Sequence, residues 1–240
     1  MKRKWHAGVM ALVLHTAAAH AAASDEQIAA DCGKLNDFAR SGEAAFSQGD
    51  LHQAVEHYTA QAAWGEFCHV PPAALADAYH HIALALMAEG EPLKARAWLQ
   101  RMPDGDERRQ ALLAIQPVLD QLQPALAASP MGRYWRYAGK GVWSTLTVMP
   151  EAGRWRIRFS GYYMPLMGLY YGPNMGQFST LTDIEQQHAI WQSPPDGNDP
   201  GCRVTMTFHP DSADLATVAG DCGFGMNVRA SGNFTRVSLY

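Results

Sequence analysis

Cys202 and Cys222 bracket two short runs of alternating apolar and polar residues, 202–208 and 214–219, joined by the turn sequence His209-Pro-Asp-Ser. A period of two puts Cys202, Val204, Met206 and Phe208 on one face of an extended segment. A further run, 234–240, closes the sequence. Such a bracket fits a clamped antiparallel β unit, and its cysteines need an oxidising compartment to pair.

The other end of the chain points to that compartment. Lys2, Arg3 and Lys4 precede a mostly apolar stretch from Ala7 to Ala19, and Ala21-Ala22-Ala23 offers small residues before Ser24. This is the pattern of a bacterial export signal, residues 1–23. The apolar run is shorter than the ~20 residues needed to cross a bilayer. No later stretch is long enough, so no membrane span is expected in the mature chain, and the expected location is the periplasm or the exterior. The four cysteines allow three pairings. Cys32–Cys68 with Cys202–Cys222 keeps each bridge within one half and is favoured. A thiolate metal site is disfavoured by the lack of any Cys-x-x-Cys pair.

Between residues 129 and 240 short strands are expected at 142–149, 154–159, 177–184, 188–192, 202–208, 214–219, 224–228 and 234–240. The sharpest is Arg154-Trp-Arg-Ile-Arg-Phe159, with Trp155, Ile157 and Phe159 on one face and Arg154, Arg156 and Arg158 on the other. About eight strands at this spacing predict an antiparallel barrel or sandwich.

From residue 24 to 128 apolar residues recur every three or four positions, which predicts helices. Two segments repeat a finer pattern: Phe38, Gly42, Gly49, Ala54 and Tyr58, then Tyr79, Ala83, Gly90, Ala95 and Leu99, with identical internal spacing. Small residues let helices approach closely, and glycine supplies the left-handed backbone a tight turn needs. A third segment, 106–123, starts at Asp106 and should kink or break at Pro117; residues 121–132 read as a linker. The fold expected is therefore α+β in two domains, 24–128 and 129–240.

The repeated pattern resembles the tetratricopeptide (TPR) helical hairpin. The repeats lie 41 residues apart rather than about 34, which fits an insertion around Trp64 to Pro72. The resemblance implies a concave surface built from Asn36, Ala39, Glu43 and Phe46 with Asp77, His80, Leu84 and Met87. Glu43 and Asp77 make it acidic, so it either takes a partner or packs on the β half. The ending Cys202, Cys222-Gly223-Phe-Gly225, Gly232-Asn-Phe234-Thr-Arg236 is similar to a disulfide-containing β domain of exported bacterial proteins, and in general plan to periplasmic lysozyme inhibitors.

Charge narrows the partners. Residues 24–128 carry 15 acidic and 7 basic side chains; residues 129–240 carry 8 and 9. No basic domain suits nucleic acid. No hydrolase, metalloprotease or phosphate-loop motif is present, and nothing calls for a cofactor or metal. The Asp196-Gly-Asn-Asp199 stretch reads as a polar turn. Two binding candidates stand out. One is the stretch 161–176, with Tyr162, Tyr163, Met167, Tyr170 and Tyr171, a stiff and adaptable contact surface that either recognises a partner or plugs the barrel. The other is the arginine stripe, which reads carboxylates or phosphates, receives the acidic helical half, or simply faces water. Together with Glu43, Asp77 and His80, these point to a non-enzymatic adaptor for another protein or a peptidoglycan-related ligand. An inhibitor or immunity protein against a cell-wall hydrolase or toxin is the alternative, and an unrecognised enzyme a further one.

Overall fold

The computed structural model describes residues 23–195 and 201–240. The expected export signal (all but Ala23) and the Asp196–Asp199 turn lie outside the described residues. Among the described residues, no helix is long and apolar enough to cross a membrane.

The first half is helical: α1 (Asp25–Cys32), α2 (Leu35–Gln48), α3 (Leu51–Phe67), α4 (Pro72–Ala88), α5 (Pro92–Leu99) and α6 (Asp106–Ala128). The repeated glycines do the work their spacing suggested. Gly49 sits at φ 80° and ends α2, after which the Asp50 carboxylate accepts from the Gln53 amide and starts α3. Gly90, at φ 79°, plays the same part before Pro92 opens α5. Gly42 lets α2 lie on α3, because a Cβ there would sit 2.7 Å from the Tyr58 ring. The segment expected as an insertion lengthens α3 to Phe67 and then turns through residues 68–71 into α4.

Two expectations about this half fail. Helix α6 continues through Pro117 and Pro124 instead of breaking, and the linker shrinks to the three residues before β1. Each proline removes one amide, but α6 is largely solvent-facing, with Leu113 64% exposed, so water can serve the orphaned carbonyls.

The second half is an eight-stranded antiparallel sheet. Its strands are β1 (Gly132–Gly139), β2 (Val142–Glu151), β3 (Arg154–Tyr163), β4 (Asn174–Thr182), β5 (His188–Gln192), β6 (Arg203–Phe208), β7 (Ser212–Ala219) and β8 (Gly232–Ser238). The order β4-β3-β2-β1-β8-β7-β6-β5 curls into a nearly closed barrel. Phe178 of β4 stacks on Trp191 of β5 with ring centres 4.3 Å apart, so side chains close the gap. Inward-facing Tyr134, Leu146, Val148, Ile157, Phe159, Met206, Phe208 and Phe234 fill the interior. Strand β1 lies where the sequence pattern predicts none. Conversely, residues 224–228 form no strand: Asn227 takes φ 62°, and Phe224 covers one end of the barrel against Phe159 and Trp191.

The bridges are Cys32–Cys68 and Cys202–Cys222. The first ties the end of α1 to the end of α3. The second ties the start of β6 to the segment that carries Phe224. Two such bridges suit an oxidising, extracytoplasmic environment.

The halves share one seam. Tyr137, Trp143 and Leu239 pack into the helical core, and Trp98 meets Trp143 edge-on at 5.1 Å. Glu66 of α3 accepts from the Tyr79 hydroxyl at 2.6 Å, from the Tyr137 hydroxyl, and from the Lys140 amide at 2.6 Å. Burial and the Glu66 carboxylate both push the Tyr79 and Tyr137 phenols upward in pKa. Arg236 of β8, 1% exposed, donates to the carbonyls of Leu126 (2.7 Å), Pro210 (2.9 Å) and Met131. Arg96 of α5 reaches the carbonyls of Arg236 and Asp211 beside it. The β half therefore docks on α3 and α5.

Candidate protein-binding surface

The stretch between β3 and β4 is held from inside and open outside. At its entry the Tyr162 amide donates to Ser144 Oγ at 2.9 Å, and Met164 is buried. Residues Gly168–Tyr171 form a single helical turn, α7, where no regular element was expected. Lys140 Nζ holds the Pro165 carbonyl at 3.0 Å. Tyr170 points inward. Its ring lies edge-on to Trp64 and Phe67, each at 5.6 Å, and its hydroxyl donates to Asp31 Oδ2 at 2.8 Å. Hydrogen bonds from Gln27, Lys34 and Tyr170 hold the Asp31 carboxyl down at about 2, while burial and Asp31 push the Tyr170 phenol up.

The receptor for Tyr170 is built by the first disulfide. Asp31 immediately precedes Cys32, and Phe67 immediately precedes Cys68, so the bridge fixes both walls of the slot. Tyr170 thus serves as an internal anchor, whereas its neighbour Tyr171 is 58% exposed.

Around that anchor large apolar side chains face solvent: Tyr163, Leu166, Tyr171, Met175 and Met226. Met175 pairs across the ladder with half-buried Tyr162, and Tyr163 pairs with Asn174. Asn174 Nδ2 in turn donates to the Met226 carbonyl at 2.8 Å, and the Gly225 amide to the Met175 carbonyl, so the clamped 222–231 segment joins the same rim. Met167 is half-buried at the start of α7. Leu166 and Met175 lie within the 161–176 stretch, but no local pattern sets them apart from their neighbours. Met226 arrives from fifty residues on through the strand order, which no local pattern encodes.

The three arginines of the stripe have different surroundings. Arg156 makes two hydrogen bonds to Glu151, at 3.0 and 2.6 Å, and lowers that carboxyl's pKa. Arg154 lies 3.5 Å from Asp183. Arg158 is exposed, and among the described residues none of the three arginines pairs with the helical half.

No family model matches this chain. No curated protein and no solved structure is significantly similar to it either.

The helical candidates remain on an open side. Glu43 and Asp77 are exposed, as are Phe46 and Leu84, while His80 is half-buried with its ring 6.4 Å from His81. Tyr58 links α2 and α4: Gly42 backs it on one side, and His81 stacks on it at 4.9 Å on the other. The β half does not cover these positions, because it sits on the second helix of each hairpin. Tyr162 and Tyr163 end β3 on opposite faces of the strand and Tyr171 ends α7, while Glu43, Asp77 and His80 lie apart from them on the helical half.

Proposed function

We propose that this chain is an exported, non-enzymatic protein-binding adaptor that meets its partner through the apolar rim around α7. One observation carries the reading: Leu166 and Tyr171 lie exposed on a segment anchored from below by Tyr170 and Met164, and the start of β4 holds exposed Met175 beside the segment that carries exposed Met226. Scattered apolar residues are ordinary on a surface, but a grouped set on a rigid support is the signature of a contact site. Preorganisation keeps the entropy cost of binding small. The filled barrel interior supports this reading over that of a carrier for a small ligand.

The helical half would act as a TPR-like support, with two hairpins turned by Gly49 and Gly90 and capped by α6. Its uncovered face, with Glu43, Asp77, Phe46 and Leu84, would offer a second and acidic contact. The protruding turn at Leu166 and Tyr171 also favours a related reading, an inhibitor that seats this turn in the cleft of a cell-wall hydrolase or toxin.

The test compares the mature chain with a Leu166→Ala/Tyr171→Ala/Met175→Ala variant in affinity capture from extracytoplasmic extract. The proposal expects a defined partner retained by the first and lost by the second at unchanged melting temperature. Equal retention by both removes the rim from consideration. A hydrolase assay on the captured partner then separates inhibitor from adaptor.

A further inference from the structure

Along β3 two of the three arginines are neutralised by carboxylates, but across the sheet a different set of residues lines up. The ladder pairs Arg133 of β1 with Thr147 of β2, Thr147 with Arg158 of β3, and Arg158 with Ser179 of β4. Neighbours in register point to the same face. Buried Tyr134, Leu146, Val148, Ile157, Phe159 and Phe178 mark the inner face, so all four of these residues lie on the outer one. Adjacent strands are about 4.8 Å apart, which sets the two arginines about 10 Å apart with a threonine hydroxyl between them.

This row differs from its neighbour. Arg156 and Arg154 have Glu151 and Asp183. Arg133 and Arg158 are exposed, and among the described residues neither makes an ion pair; Glu151 acts on Arg158 only as a more distant charge. The hydroxyls of Thr147 and Ser179 likewise have no hydrogen-bond partner among the described residues. Two guanidinium forks and two hydroxyls on the outward-curved face of the barrel form a row that no carboxylate among the described residues pairs with. Guanidinium matches the oxyanions of phosphate in a two-pronged geometry, and the hydroxyls fit the remaining oxygens.

We propose that Arg133, Thr147, Arg158 and Ser179 form a binding site for a soluble ligand bearing a diphosphate group, one phosphoryl per arginine. The site lies on the outer face of β1–β4, away from the α7 rim, and does not depend on the rim's role.

The experiment titrates pyrophosphate into the mature chain by calorimetry at low ionic strength. Binding is expected at one site, weakening as salt rises. Arg133→Ala and Arg158→Ala should each lower the affinity about tenfold, the loss of one charge-assisted contact. The double variant should abolish binding. Arg154→Ala, which removes an already paired charge, should leave affinity within about twofold of the parent. Absence of pyrophosphate binding by the parent chain overturns the proposal, as does an unchanged affinity in the double variant or an equal loss in Arg154→Ala. Binding to vesicles of anionic phospholipid without binding to pyrophosphate overturns the soluble ligand. Melting temperatures of all variants identify any that lose affinity by unfolding, and for these the arginine-to-lysine replacements, which keep charge without the fork, must show the graded loss instead.

Discussion

The Tyr170 hydroxyl donates to Asp31 Oδ2 at 2.8 Å across the seam between the β and helical halves. The donor belongs to the turn that carries the exposed rim, and the acceptor to a helix fixed by a disulfide. A covalent link on one side therefore governs the order of a surface on the other. Removing it with Cys32→Ser/Cys68→Ser frees α1 from the end of α3 and dismantles the slot. Hydrogen exchange in residues 164–173 should rise sharply in that variant and little in Cys202→Ser/Cys222→Ser. The same protection in both variants would show that the slot holds without its bridge.

Acid should loosen the same contact. The Asp31 carboxyl titrates at about 2 in the folded chain, against its ordinary 3.8. A depressed carboxyl stabilises the fold fully above its unfolded value, and that contribution disappears as pH falls through the folded one. Between about pH 4 and pH 2 the anchor should therefore weaken, with Tyr170 fluorescence or exchange around α7 reporting it. In Asp31→Asn this step should vanish.

Alkali tests the other seam contact. Tyr79 and Tyr137, both bonded to Glu66, have phenols raised above the ordinary 10.0. Their stabilisation is complete below about pH 10 and is lost as pH rises above it, because the unfolded chain ionises first. Phenolate absorbance should show Tyr79 and Tyr137 ionising only above about pH 10, together with unfolding. Glu66→Gln, which keeps the shape but exchanges one carboxylate oxygen for an amide donor, should shift that step to lower pH.

Arg236 is the most consequential buried charge. Its side chain satisfies carbonyls at the end of α6, before β1 and in the β6–β7 turn. Arg236→Met leaves those three carbonyls unserved in a buried seam, at about 3–5 kcal/mol in total. Arg236→Lys should recover little, because a point ammonium cannot replace a fork. Urea unfolding measures both.

Much of this architecture is readable in the residues. Gly49, Gly90 and the small residues between them announce paired helices, and the alternation around Ile157 announces a strand. The pairing of Cys32 with Cys68 and of Cys202 with Cys222 follows from keeping bridges local. Other features depend on distant partners. Strand β1 hides because its residues serve two masters: Tyr134 faces the barrel, while Tyr137 and Trp143 of the next strand face the helices. Residues 224–228 alternate like a strand but plug the barrel end instead. Tyr170 and Tyr171 are identical in sequence terms, and only Trp64, Phe67 and Asp31 decide which of them is an anchor. The arginines show the same limit: spacing along β3 suggested one stripe, whereas Glu151 and Asp183 divide it and the ladder regroups Arg158 with Arg133.

The adaptor reading rests on the rim, and site-directed photo-cross-linking in the native host tests it most directly. A photoreactive residue placed at Tyr171 or Met175 should give one discrete cross-linked partner, and the same probe at Ile190, exposed on β5, should not. Equal cross-linking from all three positions, or none from the rim, would contradict the account.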